Sequence, residues 1–305
     1  METVKATAEK IYNFEVKGTR NAAIAAINAF QMLAQQSTAE NKTQLLAEFS
    51  TAQQLLSNAR ETEPLMRNAL HYLSHQVQQS SLQRISDLCS LLIGSADKLL
   101  SEIDTAQDNA TDIGATLIQN DMTIFTHCNS SSATQMLIKA KQAGKNFKVI
   151  CTETRPAFQG RITARQMIEN NIETTFIIDS ASHAFISKAD FVIVGADAIT
   201  PEGNVVNKIG TSGLAVLAHE AHKPFYAVSE LLKFDPQTLY SETEGVEQRS
   251  PTEVWKEAPK KLDVRNPAFD VTPNRYIRGI ICEKGITRPK NLLKTIQQFY
   301  PWLLK

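Results

Sequence analysis

The distribution of glycine and proline divides the chain near residue 121 and limits each part to a different fold class. Three glycines and one proline precede that residue, whereas nine glycines and ten prolines follow it. Both residues are unfavourable inside helices, because glycine costs backbone entropy and proline lacks an N–H donor. The front can therefore form long helices, while the back must turn often. We predict two domains, residues 1–120 and 121–305.

The front part repeats apolar residues at helical spacing. In TQLLAEFSTAQQLLSNAR the residues Leu45, Leu46, Phe49 and Leu56 recur with the period of one helix face. Similar stretches read AAIAAINAFQMLAQQ, PLMRNALHYLSHQVQ and a long run that begins LQRISDLCSLL. Pro64 stands where a first helical turn tolerates proline. We predict a helical domain whose apolar stripes form a core or an oligomer interface.

The back part alternates apolar, β-branched runs with helical stretches. Each connection between the runs is long enough for a helix, which favours a parallel sheet covered on both faces. The fold class predicted for the chain is therefore α/β, with a helical N-terminal domain followed by a doubly wound parallel sheet. The stretch 234–275 is charged and contains proline, and we predict a loop that returns along the sheet edge. The predicted strands cover residues 122–127, 147–152, 174–179, 190–197, 224–229 and 276–284.

Charge and cysteine content disfavour several classes of protein. Lysine and arginine together number 32, as do aspartate and glutamate, so no overall field attracts a nucleic acid or an anionic membrane. The four cysteines form no CxxC pair, which is typical of reduced thiols rather than of a disulfide or zinc framework. No stretch has the apolar length of a membrane span or a signal peptide. We expect a cytoplasmic protein without a nucleic-acid or membrane partner.

Polar residues follow the predicted strands at the edge where open α/β sheets bind ligands. Because carboxyl ends of parallel strands share one edge, a thiol, carboxylates, hydroxyls and an arginine should converge there. The five strand tips are His127-Cys128-Asn129-Ser130, Glu153-Thr154-Arg155-Pro156, Asp179-Ser180, Gly195-Ala196-Asp197 and Ser229-Glu230. We predict the working site at these tips.

The segment TETRPAFQGRITA carries the strongest signal for an anion. Arg155, Gln159 and Arg161 surround Gly160, where a helix is predicted to begin. Free backbone N–H groups at a helix N-terminus and two guanidinium groups suit a phosphate. The alternative is a solvated loop that caps the helix.

A second, weaker anion signal lies in the front part. Lys17, Gly18, Thr19 and Arg20 precede the first long helix, and Arg60 ends a later one. Charged residues there usually face water, so the alternative is an ordinary helix boundary.

Cys128 and Asp197 are the candidates for proton transfer. Cys128 precedes a predicted helix, whose N-terminus is expected to lower the thiol pKa. Asp197 ends an apolar strand, where a carboxyl group can titrate near neutral pH and act as an acid or a base. The alternatives are a buried structural cysteine and an aspartate that caps a turn. The GxGxxG, GxxxxGK[ST] and GxSxG motifs are absent, which disfavours a dinucleotide-binding protein, a P-loop nucleotidase and a serine hydrolase.

Six blocks give the chain a resemblance to a known family. They are THCNSSSA, TETRPAFQGRITA, VGADAIT, GNVVNKIGT, NPAFDVTP and EKGI. Together they resemble the initiation factor 2B alpha/beta/delta family, which includes ribose-1,5-bisphosphate isomerase and methylthioribose-1-phosphate isomerase. The resemblance covers nearly the whole chain and implies a helical N-terminal domain and a Rossmann-like C-terminal domain. A cysteine in the THC turn and an aspartate in the GAD turn mark the isomerases of this family.

The resemblance also implies roles for individual residues. Cys128 and Asp197 would be the catalytic pair, with Cys128 as the base and Asp197 as the acid; the reverse assignment stays open. The residues implied to bind one phosphate are Arg155, Gln159, Gly160 and Arg161. Asn207 and Lys208 would contact the sugar. The second phosphate would bind Gly18, Thr19, Arg20 and Arg60, although the sequences KGT and RET depart there from the RGA-like and RPT-like turns of the family.

The resemblance implies an aldose–ketose isomerase that converts ribose 1,5-bisphosphate to ribulose 1,5-bisphosphate through an enolate-type intermediate. It requires no metal or redox cofactor. It further implies a homo-oligomer, a dimer or a trimer of dimers, and AMP is an expected activator. Two alternatives remain: a methylthioribose-1-phosphate isomerase and a regulatory subunit of a translation initiation factor that binds without turnover.

Overall fold

A computed structural model describes residues 1–13, 15–16, 18–60, 63–239 and 247–304. Its contacts separate two compact units, which are described one at a time. The first contains Met1–Thr105 and Leu232–Phe234, and the second contains Ala106–Leu231 and Asp235–Leu304. Lys17, Glu61 and Thr62, which belong to the KGT and RET turns, lie outside the described residues. A functional division at residue 120 stays a prediction.

The first unit is helical, as the periodicity predicts. Phe30 and Phe49 stack in its core with ring centroids 5.6 Å apart, and both side chains are fully buried. Pro64 opens its helix at the predicted position, where a missing N–H costs nothing. Across the described ranges, no helix combines the length and the apolar character needed to cross a bilayer. The helices are α1 Glu2–Tyr12, α2 Thr19–Gln36, α3 Lys42–Ala59, α4 Pro64–Gln79 and α5 Ile85–Ala115, the last of which continues into the second unit.

The second unit contains a seven-stranded sheet, and the predicted α/β class is confirmed. Its strands are β1 Thr123–Thr126, β2 Lys148–Thr152, β3 Glu173–Ile177, β4 Phe191–Val194, β7 Phe225–Val228, β9 Gly279–Cys282 and β10 Gly285–Thr287. Their order in the sheet is β10-β9-β7-β4-β1-β2-β3, in which β10 alone is antiparallel to its neighbour. The helices are α6 Ser131–Gln142, α7 Gly160–Glu169, α8 Ser182–Ile186, α9 Thr211–Glu220 and α10 Leu292–Phe299.

The strand order reverses between β1 and β4. Successive strands β2 and β3 are added on one side of β1, whereas β4, β7 and β9 follow on its other side. Connections therefore leave β1 and β4 in opposite directions and open a crevice at their carboxyl ends, which is where doubly wound sheets bind ligands.

A second sheet was not predicted from the sequence. It is antiparallel, with the order β5-β6-β8, and consists of β5 Ala198–Ile199, β6 Val205–Lys208 and β8 Phe269–Thr272. The prediction that 234–275 is a loop is therefore wrong at Phe269–Thr272, which pairs with β6. Two residues of this four-residue strand are buried and two are partly buried, so no alternating pattern marks it in the sequence.

Candidate active site

The structure places Cys128 and Asp197 after the two strands that flank the crevice. Thr126 of β1 lies in register with Ile193 of β4, and the two turns follow directly. A Cβ atom on Gly195 would come within 2.5 Å of the Ser130 Cβ, so the two turns are in tight contact. Only glycine allows this approach of the Asp197 turn to the Cys128 turn.

Hydrogen bonds on three sides fix Cys128. Its backbone, at φ 69°, is left-handed, and its N–H donates to the Thr154 hydroxyl at 2.9 Å. Its carbonyl accepts from the Thr163 hydroxyl at 2.8 Å. The thiol Sγ lies 3.5 Å from the Gln159 Oε1. The thiol is thereby held against the predicted anion loop.

Burial, rather than the helix N-terminus, dominates the thiol pKa. It raises the pKa of Cys128 to about 12, and the carboxylates of Asp197 and Asp179 add to the increase. The Lys208 ammonium and the Asn129 backbone act in the opposite direction with smaller effect. The expected lowering of this pKa is therefore wrong for the free protein, where Cys128 is a thiol at neutral pH.

The anion loop joins β2 to α7, and its conformation depends on Gly160. A Cβ atom there would overlap the carbonyl oxygen of Thr152 and lie 2.8 Å from its carbonyl carbon. Arg155 and Arg161 are exposed and lie over the Phe158 ring at 5.1 and 3.8 Å. Two guanidinium groups thus flank the N-terminus of α7, an arrangement suited to an oxyanion.

Asp179 anchors the start of this loop. Its carboxylate accepts the backbone N–H groups of Thr154 and Arg155 at 2.8 and 2.7 Å. The Arg155 guanidinium donates to the Val254 carbonyl at 2.9 Å. These hydrogen bonds fix the loop, and none of them involves the Arg161 guanidinium.

Asn207 and Lys208 end strand β6, next to the turn that begins α9. The Asn207 amide is buried and donates to the Thr211 hydroxyl at 3.0 Å. The Lys208 ammonium lies 4.8 Å from the centre of the Phe269 ring and acts electrostatically on the Cys128 thiol. Asn207 is thus held within its own turn, while the charge of Lys208 favours the Cys128 thiolate.

His127 holds the turn between β6 and α9 in place. Its Nε2 donates to the Ile209 carbonyl at 2.9 Å, which leaves Nδ1 to accept from the Thr152 hydroxyl at 2.6 Å. Burial lowers the pKa of His127, so the ring is neutral at neutral pH. Gly210, at φ 101°, faces this ring, and a Cβ there would come within 3.1 Å of it. His127 is therefore a positioning residue rather than a proton donor.

Asp270 caps the same turn, and the sequence reading gave it no role. Its carboxylate accepts the backbone N–H groups of Gly210 and Ser212 at 2.8 and 3.1 Å. Burial raises the pKa of Asp270 to about 6, although these hydrogen bonds oppose the shift. Thr154 and Asp179 belong to the predicted strand tips, and the structure adds their hydrogen-bond partners at the site.

Asp270→Asn should change how stability depends on pH. Because the pKa of Asp270 is higher in the folded chain than in the unfolded chain, its proton stabilises the fold. This contribution is complete below a pH of about 4 and is lost as the pH rises to about 6. The stability of the natural chain relative to Asp270→Asn should therefore fall by about 2 kcal/mol over that range, after allowance for solvent screening. Urea unfolding at several pH values measures the difference. The exposed Asp263→Asn is the control, and a difference that stays constant with pH would contradict the prediction.

The residues predicted to hold a second phosphate all lie in the first unit. Gly18, at φ 87°, caps α2, and Thr19 begins that helix. Arg20 pairs with Asp104, while Arg60 at the end of α3 lies 3.0 Å from the buried Glu63 carboxylate. Both arginines therefore already have an acidic partner within their own unit.

Comparison with known proteins assigns the chain to a family with this fold. Residues 15–289 match the initiation factor 2 subunit family, and the chain belongs to that family. It is 38% identical over 307 residues to ribose 1,5-bisphosphate isomerase from Methanocaldococcus jannaschii, with 100% of this chain and 98% of that protein covered.

Two further proteins are similar to the chain, one in sequence and one in structure. A methylthioribose-1-phosphate isomerase from Pelotomaculum thermopropionicum is 34% identical, over 95% of this chain and 85% of its own length. The crystal structure of a translation initiation factor eIF-2B from Pyrococcus horikoshii OT3 aligns with a TM-score of 0.81 at 31% identity, covering 95% of this chain and 98% of that one. The predicted family, fold and isomerase class are thus confirmed, while the substrate and residue roles stay predictions.

Proposed function

We propose that the chain isomerises ribose 1,5-bisphosphate to ribulose 1,5-bisphosphate. One observation carries the proposal: Cys128 and Asp197 follow the two strands at which the order reverses, beside a loop with two exposed arginines. A thiol and a carboxyl group at one crevice can move protons, and the arginines can hold a phosphate. The relative of highest similarity reported above is named for this reaction.

Substrate binding is assigned to the residues that the sequence predicted. The N-terminus of α7 with Arg155, Gln159, Gly160 and Arg161 binds one phosphate, and Asn207 and Lys208 contact the sugar hydroxyls. Gly18, Thr19, Arg20 and Arg60 keep their predicted role at the second phosphate. Holding the phosphate at the α7 loop fixes the C2 proton relative to the base.

The two acidic groups share one proton during the reaction. In the free protein this proton lies on the Cys128 thiol, because burial and the Asp197 charge both oppose the thiolate. Lys208 favours the thiolate, and our proposal places this proton on Asp197 in the substrate complex. The pair is then a thiolate and a carboxylic acid, which are the base and the acid the reaction needs.

Proton transfers complete the isomerisation without a net change in atoms. Asp197 gives its proton to the ring oxygen as the bond from C1 to that oxygen breaks, and Cys128 removes the proton from C2. The resulting enol has a double bond between C1 and C2. Cys128 returns its proton to C1 while the C2 hydroxyl gives its proton to Asp197, which leaves the ketone and restores both groups.

Two further expectations belong to this proposal. The protein works as a homo-oligomer, a dimer or a trimer of dimers, and AMP activates it. Size-exclusion chromatography with light scattering measures the first, and turnover with and without AMP measures the second.

Turnover of two substrates tests the proposal against its alternatives. The purified protein should convert ribose 1,5-bisphosphate and leave methylthioribose 1-phosphate nearly unchanged, since the latter lacks a second phosphate. Preference for methylthioribose 1-phosphate would identify the methylthioribose isomerase activity instead. If neither substrate reacts, the regulatory alternative replaces the enzyme.

A further inference from the structure

A basic cleft lies in the second unit at the amino ends of strands β7 and β9. It has a volume of about 780 Å³, and its lining includes Phe225, where β7 begins, and Arg278, which directly precedes β9. The catalytic turns follow the opposite, carboxyl ends of the parallel strands. The cleft is therefore separated from Cys128 and Asp197 by the length of the sheet, about 13 Å for four residues.

The charges that line this cleft have one sign. The described residues of the lining include no aspartate or glutamate. None of its cationic side chains forms an ion pair with a carboxylate in the described part of the chain. These side chains are Lys223, Arg275, Arg278, Arg288 and Lys290. The whole chain has zero net charge, so an excess of lysine and arginine in the sequence does not explain this local group of cations.

Hydrogen bonds and a buried proline anchor the segments that carry the cations. The Asn274 side chain donates to the Glu202 carbonyl at 2.6 Å, and the Arg278 N–H donates to the Phe225 carbonyl at 2.8 Å. Pro289 is buried, and a Cβ atom added to Gly203 would come within 2.7 Å of it. Arg288 and Lys290 therefore project from either side of an anchored residue. An anchored backbone at these positions lowers the entropy cost of bringing the cations together around an anion.

The aromatic rings beside the cleft already have partners. The Tyr276 ring is covered by the Arg275 guanidinium at 4.7 Å and meets His219 edge to face at 5.3 Å. Stacking is therefore not the main source of recognition. The volume lies within the range of about 300–1,000 Å³ that holds small molecules, and it exceeds what one phosphate needs.

We propose that this cleft binds a small anion that carries two or more phosphate groups, at a site separate from the catalytic one. The proposal does not depend on the isomerase activity, because binding is measured without turnover. Free oligophosphate and the phosphate chain of a nucleotide share this chemistry.

Isothermal titration with inorganic tripolyphosphate and with ATP, both without divalent metal, tests the site. The double variant Arg288→Glu/Lys290→Glu should lose one binding equivalent, or bind it at least about tenfold more weakly, because each charge-assisted hydrogen bond is worth that factor or more. The variant Arg161→Gln should keep this equivalent. Equal affinity for the two probes identifies the phosphate chain as the ligand, whereas tighter binding of ATP adds a role for the nucleoside.

Matched controls separate this site from general charge effects. Lys5→Glu/Lys10→Glu changes the net charge equally on exposed positions of α1 and should leave binding unchanged. The milder Arg275→Gln/Arg278→Gln removes two cleft cations without reversing charge and should weaken the same equivalent. The proposal is overturned if neither probe binds, or if the cleft variants bind as tightly as the α1 variant.

Discussion

Asp197→Asn and Cys128→Ser should each lower turnover of ribose 1,5-bisphosphate by about 100- to 10,000-fold, the usual contribution of one acid or base. Asparagine cannot carry the proton that the ring oxygen requires. Serine can hold the position of the thiol, but its hydroxyl does not ionise to a usable base. Steady-state assays of the purified variants, with circular dichroism to verify folding, measure both effects.

Two conservative replacements outside the site serve as controls. Asp263→Asn changes an exposed carboxylate. Cys282→Ser changes a buried thiol that lies 3.2 Å from the Gly285 carbonyl, where a hydroxyl can donate equally well. Both controls should keep wild-type turnover. Loss of activity in the controls, or its retention in the site variants, would contradict the assignment of the pair.

Comparison of Cys128→Ser with Cys128→Ala distinguishes the base from the acid role. If Cys128 is the base, both variants should be equally inactive, because neither side chain provides an anion. If it is the acid, serine should retain clearly more activity than alanine, since a hydroxyl can still donate a proton. Exchange of the C2 proton with solvent deuterium gives a second measurement: it should disappear in both variants when Cys128 is the base.

Gly160→Ala should lower the free energy of unfolding by about 3 kcal/mol, more than any other replacement considered above. The overpacking is against backbone atoms, so a rotamer change cannot relieve it. The added methyl group would overlap the Thr152 carbonyl. To relieve the overlap, the start of α7 must move away from β2, which displaces Gln159 and Arg161 from the predicted phosphate position. Urea unfolding measures the stability, and KM for the bisphosphate should rise in any variant that remains folded.

Gly213→Ala is the matched control for Gly160→Ala. Gly213 lies in helix α9, and an added Cβ there meets no heavy atom within 4 Å. Alanine should therefore stabilise the chain by about 0.5–1 kcal/mol through its helix propensity. Equal stability of the two glycine variants would show that the close approach at Gly160 is not the cause.

The sequence predicted the elements that depend on local patterns. Pro64 and Gly160 begin their helices at the predicted positions. Proline restricts φ to a value that suits a first helical turn, and glycine has no Cβ to prevent a close approach. The six predicted β-branched runs correspond to the six parallel strands of the seven-stranded sheet. Strand β8 was missed because two buried and two partly buried residues give no alternating signal, and its pairing partner β6 lies more than sixty residues earlier.

The sequence by itself determined the fold class, the two turns that carry Cys128 and Asp197, and the residue types available to bind a phosphate. These follow from hydrophobic periodicity and from the position of polar residues after strands, which are local properties. Only the tertiary structure decided the protonation of Cys128, because the loss of solvent around the thiol outweighs the helix N-terminus. It also decided the role of Asp270 and the grouping of five cations in one cleft, since both depend on contacts between distant segments that no local pattern encodes.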